Sequence, residues 1–204
     1  KIVQDSIKIV VNYREKKYFT TMPLQGKYNI YNIAASFLTC IELGYNIGEL
    51  CANISDFKST FGRYELINYK NKEIFLILVK NPVGFTQALE SSIDDNKKNF
   101  IFILNDNIAD GKDVSWIWDV NFDLLNNKIN ELMIGGTRMF DMALRIKYAD
   151  IGVKQFIFFD TFKELFDKIE QSNNSTFHIF LTYTALIELK NHLSKKGYKS
   201  FYEQ

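Results

Sequence analysis

Two short apolar runs constrain this chain most: residues 73–79 (EIFLILV) and 100–104 (FIFIL). Hydrophobicity that is continuous rather than alternating over so few residues marks strands covered on both faces. Residues 132–134, 155–159 and 177–181 repeat the pattern. Between these runs lie helical spacings at 85–93, 122–128, 139–150, 161–170 and 183–195. Strand and helix in alternation need crossover connections. The expectation is therefore an α/β fold, a Rossmann-like and mostly parallel sheet with flanking helices.

The first sixty residues read differently. Residues 8–11 and 17–21 partly alternate apolar and polar, predicting a half-exposed hairpin that turns at 12–16. After Pro23 and Gly26, the residues Ile30, Ile33, Ala34, Phe37, Leu38 and Ile41 fall at helical spacing, and Gly44 closes the helix. A second short helix is predicted from Ile47 to about Phe57. One hairpin and two helices have little to bury against. Residues 1–61 are accordingly expected to be the tail of a larger domain and 62–204 a second domain, with the boundary near residues 60–65. The chain opens on Lys1 rather than Met, and a fragment is expected.

Composition removes several function classes. Lys and Arg number 25 against 24 acidic side chains, so a general nucleic-acid binder or polybasic membrane binder is excluded. Two cysteines, Cys40 and Cys51, make neither a disulfide scaffold nor a four-cysteine zinc site, and a reducing cytoplasm is expected. No apolar run approaches the roughly 18–20 residues of a membrane span, and no signal-peptide pattern opens the chain.

Ligands of open parallel sheets gather at the carboxyl ends of strands. The run 100–104 leads directly into loop 105–119, which holds Asp106, Asp110, Asp113 and Asp119 with both tryptophans, Trp116 and Trp118. Two readings stand: a solvated loop whose tryptophans pack onto the sheet, or a working site. Calcium is excluded, because an EF-hand with Gly111 sixth needs an acid or amide at Ile108 and Glu at Ile117. No G-x-x-x-x-G-K-[ST] or G-x-G-x-x-G phosphate cradle occurs. Gly135-Gly136-Thr137-Arg138 either offers amides and a guanidinium to an anion or is a plain strand–helix turn. Cys40, Cys51, His178 and the stripe Phe156, Phe158, Phe162 and Phe166 read as core, and no Cys–His pair with His178 or His192 is expected.

Two separated motifs carry a family resemblance. Gly26-Lys27-Tyr28-Asn29-Ile30-Tyr31-Asn32-Ile33-Ala34-Ala35 resembles the G-x-H-N-x-x-N-x-x-A segment of the central ATPase domain of Mur ligases and folylpolyglutamate synthases, with Tyr28 where many members have His. Gly62-Arg63-Tyr64-Glu65 resembles the G-R-x-E element where their central and C-terminal domains join. With Lys80-Asn81-Pro82-Val83-Gly84-Phe85, loop 105–119 and Gly136-Thr137-Arg138, nearly the whole chain resembles the C-terminal half of the MurT family, Mur-ligase-like subunits of lipid II isoglutaminyl synthases. The tryptophan-containing loop has no place in a folylpolyglutamate synthase.

That resemblance implies a remnant of the Mur ligase central domain followed by a MurT-type C-terminal domain. The family's P-loop and four-cysteine zinc ribbon would precede Lys1, so this portion alone is expected to be inactive. The family uses ATP and Mg²⁺ to activate the D-glutamate α-carboxylate of lipid II as an acyl phosphate. Ammonia from a GatD-type glutamine amidotransferase then gives D-isoglutamine, in peptidoglycan synthesis at the inner face of the cytoplasmic membrane. A C-terminal-domain Asp, the second of D-G-x-D, orients the partner's catalytic His. Here it is Asp113, with Asp110 its rival. A carboxylate in that place fixes the imidazole tautomer and stabilises the imidazolium.

Asn29 and Asn32 carry over as adenine-side contacts and Arg63 as a phosphate-side or hinge residue. Their alternatives are a helix N-cap at Asn29 and a salt bridge from Arg63 to Glu65 or another acid. Asp106 and Asp119 could hold the loop through local bonds to backbone N–H groups, and Trp116 and Trp118 could be interface anchors or core. No metal ligand is assigned. The competing function is a stand-alone Rossmann-like ligand-binding or docking module with no catalytic residue.

Overall fold

The computed structural model describes residues 7–23, 26, 28–57, 61–94, 96–153 and 155–198. Lys1, Lys27 of the first motif and Thr60 at the expected boundary lie outside the described residues. The chain divides into two units, Lys1–Ser59 and Thr60–Gln204.

In the first unit β1 (Ile7–Tyr13) and β2 (Lys16–Met22) pair antiparallel from Ile7↔Met22 to Tyr13↔Lys16. Arg14 and Glu15 both have positive φ, which lets a two-residue turn follow the strand twist. Helix α1 (Tyr28–Glu42) ends where Gly44 turns left-handed at φ +91°, and α2 (Ile47–Asn53) is capped by Asn46, whose side chain accepts Gly48 N–H at 2.8 Å. A 3₁₀ turn, Ile54–Asp56, replaces the last part of the predicted second helix. Met22, Ile33, Phe37, Ile47 and Cys51 form the core. The helical stripe is only partly used: Ile33 and Phe37 are buried, whereas Ile30, Ala34 and Leu38 are exposed. One hairpin face can cover one helix face.

The second unit holds a six-stranded sheet in the order β3-β4-β8-β5-β6-β7. Its strands are β3 (Arg63–Tyr69), β4 (Lys72–Leu78), β5 (Lys98–Ile103), β6 (Ile129–Gly135), β7 (Ile157–Phe158) and β8 (Thr176–Leu181). Only β3 with β4 is antiparallel; the other pairs are parallel, as the apolar runs require. Helices α3 (Pro82–Ser92), α4 (Met139–Tyr148), α5 (Phe162–Gln171) and α6 (Tyr183–Lys195) flank it. Successive β5 side chains enter opposite layers. Phe100, Phe102 and Leu104 join Phe85, Phe122 and Phe180, while Ile101 and Ile103 join Leu165, Phe166 and Leu186. Each fully buried side chain of this kind contributes about 1.5–3 kcal/mol.

Three elements depart from expectation. Strand β3 was not anticipated, because its pattern is broken by the buried Glu65 and by a bulge at Arg63/Glu65 where Tyr64 takes φ +57°. The predicted helix at 122–128 is a 3₁₀ turn, Phe122–Leu125, stopped before the left-handed Asn127. The predicted strand at 155–159 shrinks to two residues at the sheet edge, leaving Phe158 37% exposed while Phe166 is fully buried. His178 is core as expected, stacked on Phe75 at 5.1 Å, but its Nδ1 has no hydrogen-bond partner among the described residues. Burial pushes its pKa down to about 4.

Candidate acid loop at the carboxyl ends of the strands

Loop 105–119 leaves β5 at the ends of β6 and β8 and is fastened to both. Leu104 donates its N–H to Gly135 O at 3.1 Å and accepts Arg138 N–H at 2.9 Å. Asn105 is buried. Its Oδ1 accepts Thr137 N–H at 3.0 Å, its Nδ2 donates to Thr184 Oγ1 at 3.0 Å, and its N–H donates to Thr182 Oγ1 at 3.0 Å. Gly136 makes the approach possible: it sits at φ +94°, and a Cβ there would lie 2.5 Å from Leu104 O.

These contacts decide the turn at 135–138. Its Thr137 and Arg138 amides are already donated within the protein. The Arg138 guanidinium forks onto Asp141, Nε to Oδ2 at 2.8 Å and Nη2 to Oδ1 at 3.0 Å, with Asp106 at 3.6 Å. The segment is strand–helix geometry, not an anion cradle.

The four carboxylates of the loop differ sharply. Asp106 accepts Thr137 Oγ1 at 2.9 Å, and that bond, with the nearby Lys112 and Arg138 charges, holds its carboxyl below the usual range. Its own backbone N–H adds a smaller, local contribution of the kind expected. Asp110 uses both oxygens on one residue, accepting Thr184 N–H at 2.8 Å and Thr184 Oγ1 at 2.5 Å. It thus caps the first turn of α6 and places a negative charge at that helix N-terminus. Asp119 is exposed, and its carboxylate has no hydrogen-bond partner among the described residues.

Asp113 is also exposed. Its one hydrogen-bonding neighbour among the described residues is Ser115, whose N–H donates to Oδ1 at 2.8 Å. That amide, and then the Ser115 hydroxyl, keep the carboxyl below its ordinary value and therefore ionised at neutral pH. Ser115 opens the 3₁₀ turn Ser115–Asp119.

The two tryptophans differ in burial. Trp116 is partly buried, 6.3 Å from the Phe85 ring. Trp118 is 47% exposed, edge-on to Tyr148 at 5.6 Å and 5.7 Å from the Arg145 guanidinium. Arg145 donates to Ile117 O at 3.3 Å and Val120 O at 2.8 Å, tying the turn to α4. Sequence reasoning passed over Arg145, although arginines are scarce here. Its partners are carbonyls, which carry no sequence signature.

Of the residues assigned to ATP, Asn29 and Asn32 belong to the first unit and Arg63 to the second. Asn29 lies inside α1 rather than at its cap, and its Oδ1 accepts Asn32 Nδ2 at 3.1 Å. Arg63 is exposed at the start of β3 in the second unit. Glu65 pairs not with Arg63 but with Lys190 at 2.8 Å, and also accepts Gly62 N–H at 3.0 Å. Cys40 and Cys51 belong to the first unit, and burial pushes the Cys51 thiol up. His192 stacks on Phe166 at 5.4 Å, with burial lowering its pKa. Among the described residues no group of three or more His, Cys, Asp or Glu could hold a metal ion, and no helix is long and apolar enough to cross a membrane.

Comparison with known proteins follows the same lines. The model of the MurT ligase C-terminal family matches residues 78–186. The lipid II isoglutaminyl synthase (glutamine-hydrolyzing) subunit MurT of Streptococcus pneumoniae is 32% identical over 173 residues, 84% of this chain and 39% of that protein. Its namesake in Staphylococcus aureus strain COL is 32% identical over 157 residues, 76% and 36% of the two chains. The chain thus spans about two-fifths of the length of these curated relatives. Among solved structures, UDP-N-acetylmuramate-alanine ligase MurC of Thermotoga maritima aligns with TM-score 0.69 at 14% identity, over 95% of this chain and 43% of that one. MurF of Acinetobacter baumannii aligns with TM-score 0.68 at 16% identity, over 96% and 42%. At such identities the likeness shows the fold, and it is the α/β fold expected.

Proposed function

This chain belongs to the MurT ligase C-terminal family, and from that premise we propose that it presents Asp113 to the active site of a glutamine-hydrolysing partner. The overall reaction in this reading is glutamine-dependent amidation of the D-glutamate α-carboxylate of lipid II, at the inner face of the cytoplasmic membrane. Both curated relatives carry that synthase's name. A GatD-type amidotransferase supplies the ammonia.

ATP and Mg²⁺ would form the acyl phosphate in the complete ligase, and Asn29, Asn32 and Arg63 are its proposed contacts. The two asparagine side chains bond each other, and neither a phosphate cradle nor a cluster for a cation accompanies them.

The observation that carries the proposal is the contrast within the loop. Asp106 and Asp110 are committed to Thr137 and Thr184, while Asp113 is ionised, exposed and held only by Ser115. Such a carboxylate can accept the ring N–H of a partner's histidine. The imidazole then takes the cysteine thiol proton, and Asp113 stabilises the imidazolium so formed. The thiolate attacks the glutamine carboxamide, the C–N bond breaks, and the imidazolium returns its proton to the departing ammonia. Water then hydrolyses the thioester to glutamate.

The test is the glutaminase rate of a purified partner alone, with this chain, and with its Asp113→Asn form. An amide at this position cannot stabilise imidazolium, so stimulation is expected to fall on the order of 100-fold with binding retained. Equal stimulation by the Asn form would leave a docking module without a catalytic residue.

A further inference from the structure

Helix α4 buries Met142, Ala143 and Ile146 against the sheet. Its opposite face is also apolar: Phe140, Leu144 and Tyr148, at i, i+4 and i+8, are 68%, 47% and 71% exposed. Neighbours lengthen the stripe at both ends. The ring of Phe158 lies 5.5 Å from Phe140, and that of Trp118 lies 5.6 Å from Tyr148. Of the charges beside it, Asp141 pairs with Arg138 and Arg145 turns to the Ile117 and Val120 carbonyls, while Lys147 stands exposed at its edge. Five such side chains at these exposures present roughly 600 Å² of apolar surface. A monomer's largest patch is typically about 300–600 Å², and one side of a standard interface is about 800 Å².

We propose that this stripe is the surface on which the glutaminase partner seats, through an uncharged apolar face of its own. The inference rests on the reading of Asp113 given above and deepens it. Trp118 and Asp113 belong to one loop, and Arg145 fastens that loop to α4. A protein seated on the stripe is therefore anchored by the element that carries the carboxylate, which sets the reach of Asp113 into the partner. A second copy of this chain seated there would have no such use for the loop.

The experiment titrates the chain into the purified glutaminase subunit and reads both affinity and glutaminase rate. Phe140→Ser/Tyr148→Ser is compared with Trp118→Ala and with Val83→Ser, which alters a side chain 67% exposed on α3. All substituted positions are on the surface, and thermal melts check the fold. The double variant is expected to weaken binding at least tenfold, Trp118→Ala several-fold and Val83→Ser less than twofold. At saturation the double variant should reach the wild-type glutaminase rate, since Asp113 is untouched. Affinity of the double variant within twofold of wild type would overturn the docking surface, even if Asp113→Asn still lost stimulation. A wild-type dimer in sedimentation that the double variant makes monomeric, with partner binding unchanged, would also overturn it by assigning the stripe to a second copy. Failure of the Asp113 reading looks different: Asp113→Asn would stimulate as wild type, whatever the stripe variants did.

Discussion

Asparagines stand near the start of β5, at Asn99, and just past its end, at Asn105, and the two ends of the sheet teach different things. At the opening end, Asn99 donates to Thr176 O at 2.9 Å and accepts Asn130 Nδ2 at 2.9 Å. Asn130 also reaches Asn174 Oδ1 at 3.0 Å, Asn174 reaches Glu131 Oε2 at 2.7 Å, and Lys72 closes the ring on the carbonyls of Ser172 and Asn174. At the closing end, Asn105 likewise knits the Thr137 amide to Thr184. Beyond it, however, the pattern of mutual satisfaction stops at Asp113. Parallel sheets keep their chemistry at the carboxyl ends of strands, and here that end presents Asp113, an exposed, ionised carboxylate whose one partner among the described residues is Ser115.

The largest effect is expected in the sheet between the two ends. His178 on β8, beside Phe100, is buried neutral with its pKa near 4, below the roughly 6.5 of an unfolded histidine. The unfolded chain therefore binds the extra proton first. The second unit should keep full stability above about pH 6.5 and lose about 3 kcal/mol as pH falls towards 4. Urea melts at pH 7 and 4.5 should show that loss, and His178→Phe should remove most of it. An unchanged slope would mean that His178 is not the titrating group.

Next come the asparagines themselves. Asn105→Ala removes the acceptor of the part-buried Thr137 amide as well as the Thr184 bond, so about 2 kcal/mol is expected. Asn99→Ala acts at the more open end and should cost about 1–2 kcal/mol in the same melts. Reversal of that order would show that the closing end is the looser one.

The smallest effects separate the two candidate acids. Asp110→Asn loses a charged cap on α6 and should cost about 1 kcal/mol. Asp113→Asn should change stability by less than about 0.5 kcal/mol, as surface substitutions do. Equal costs at the two positions would blur the distinction on which the proposed role rests.

Much of this architecture was legible. Continuous apolar runs announced β4, β5, β6 and β8, and helix α6 begins and ends at Tyr183 and Lys195 as its spacing predicts. Strand β3 was hidden because its polar residue, Glu65, is buried for the sake of Lys190, a partner distant in sequence. The loop's position after β5 was readable, but the division of labour among its acids was not. What distinguishes Asp110 from Asp113 is Thr184, and nothing local to D-G-x-D records it. The stripe on α4 was not legible either: Phe140, Leu144 and Tyr148 are as apolar as the buried Met142, Ala143 and Ile146, and residue type alone does not tell which of them face solvent.

The most direct measurement is the saturating glutaminase rate of the partner subunit with wild-type chain, Asp113→Asn and Asp110→Asn side by side. The account predicts that the Asp113→Asn form binds yet loses stimulation by on the order of 100-fold, while the Asp110→Asn form keeps most of it. Loss at Asp110 with full stimulation by Asp113→Asn would contradict the account outright.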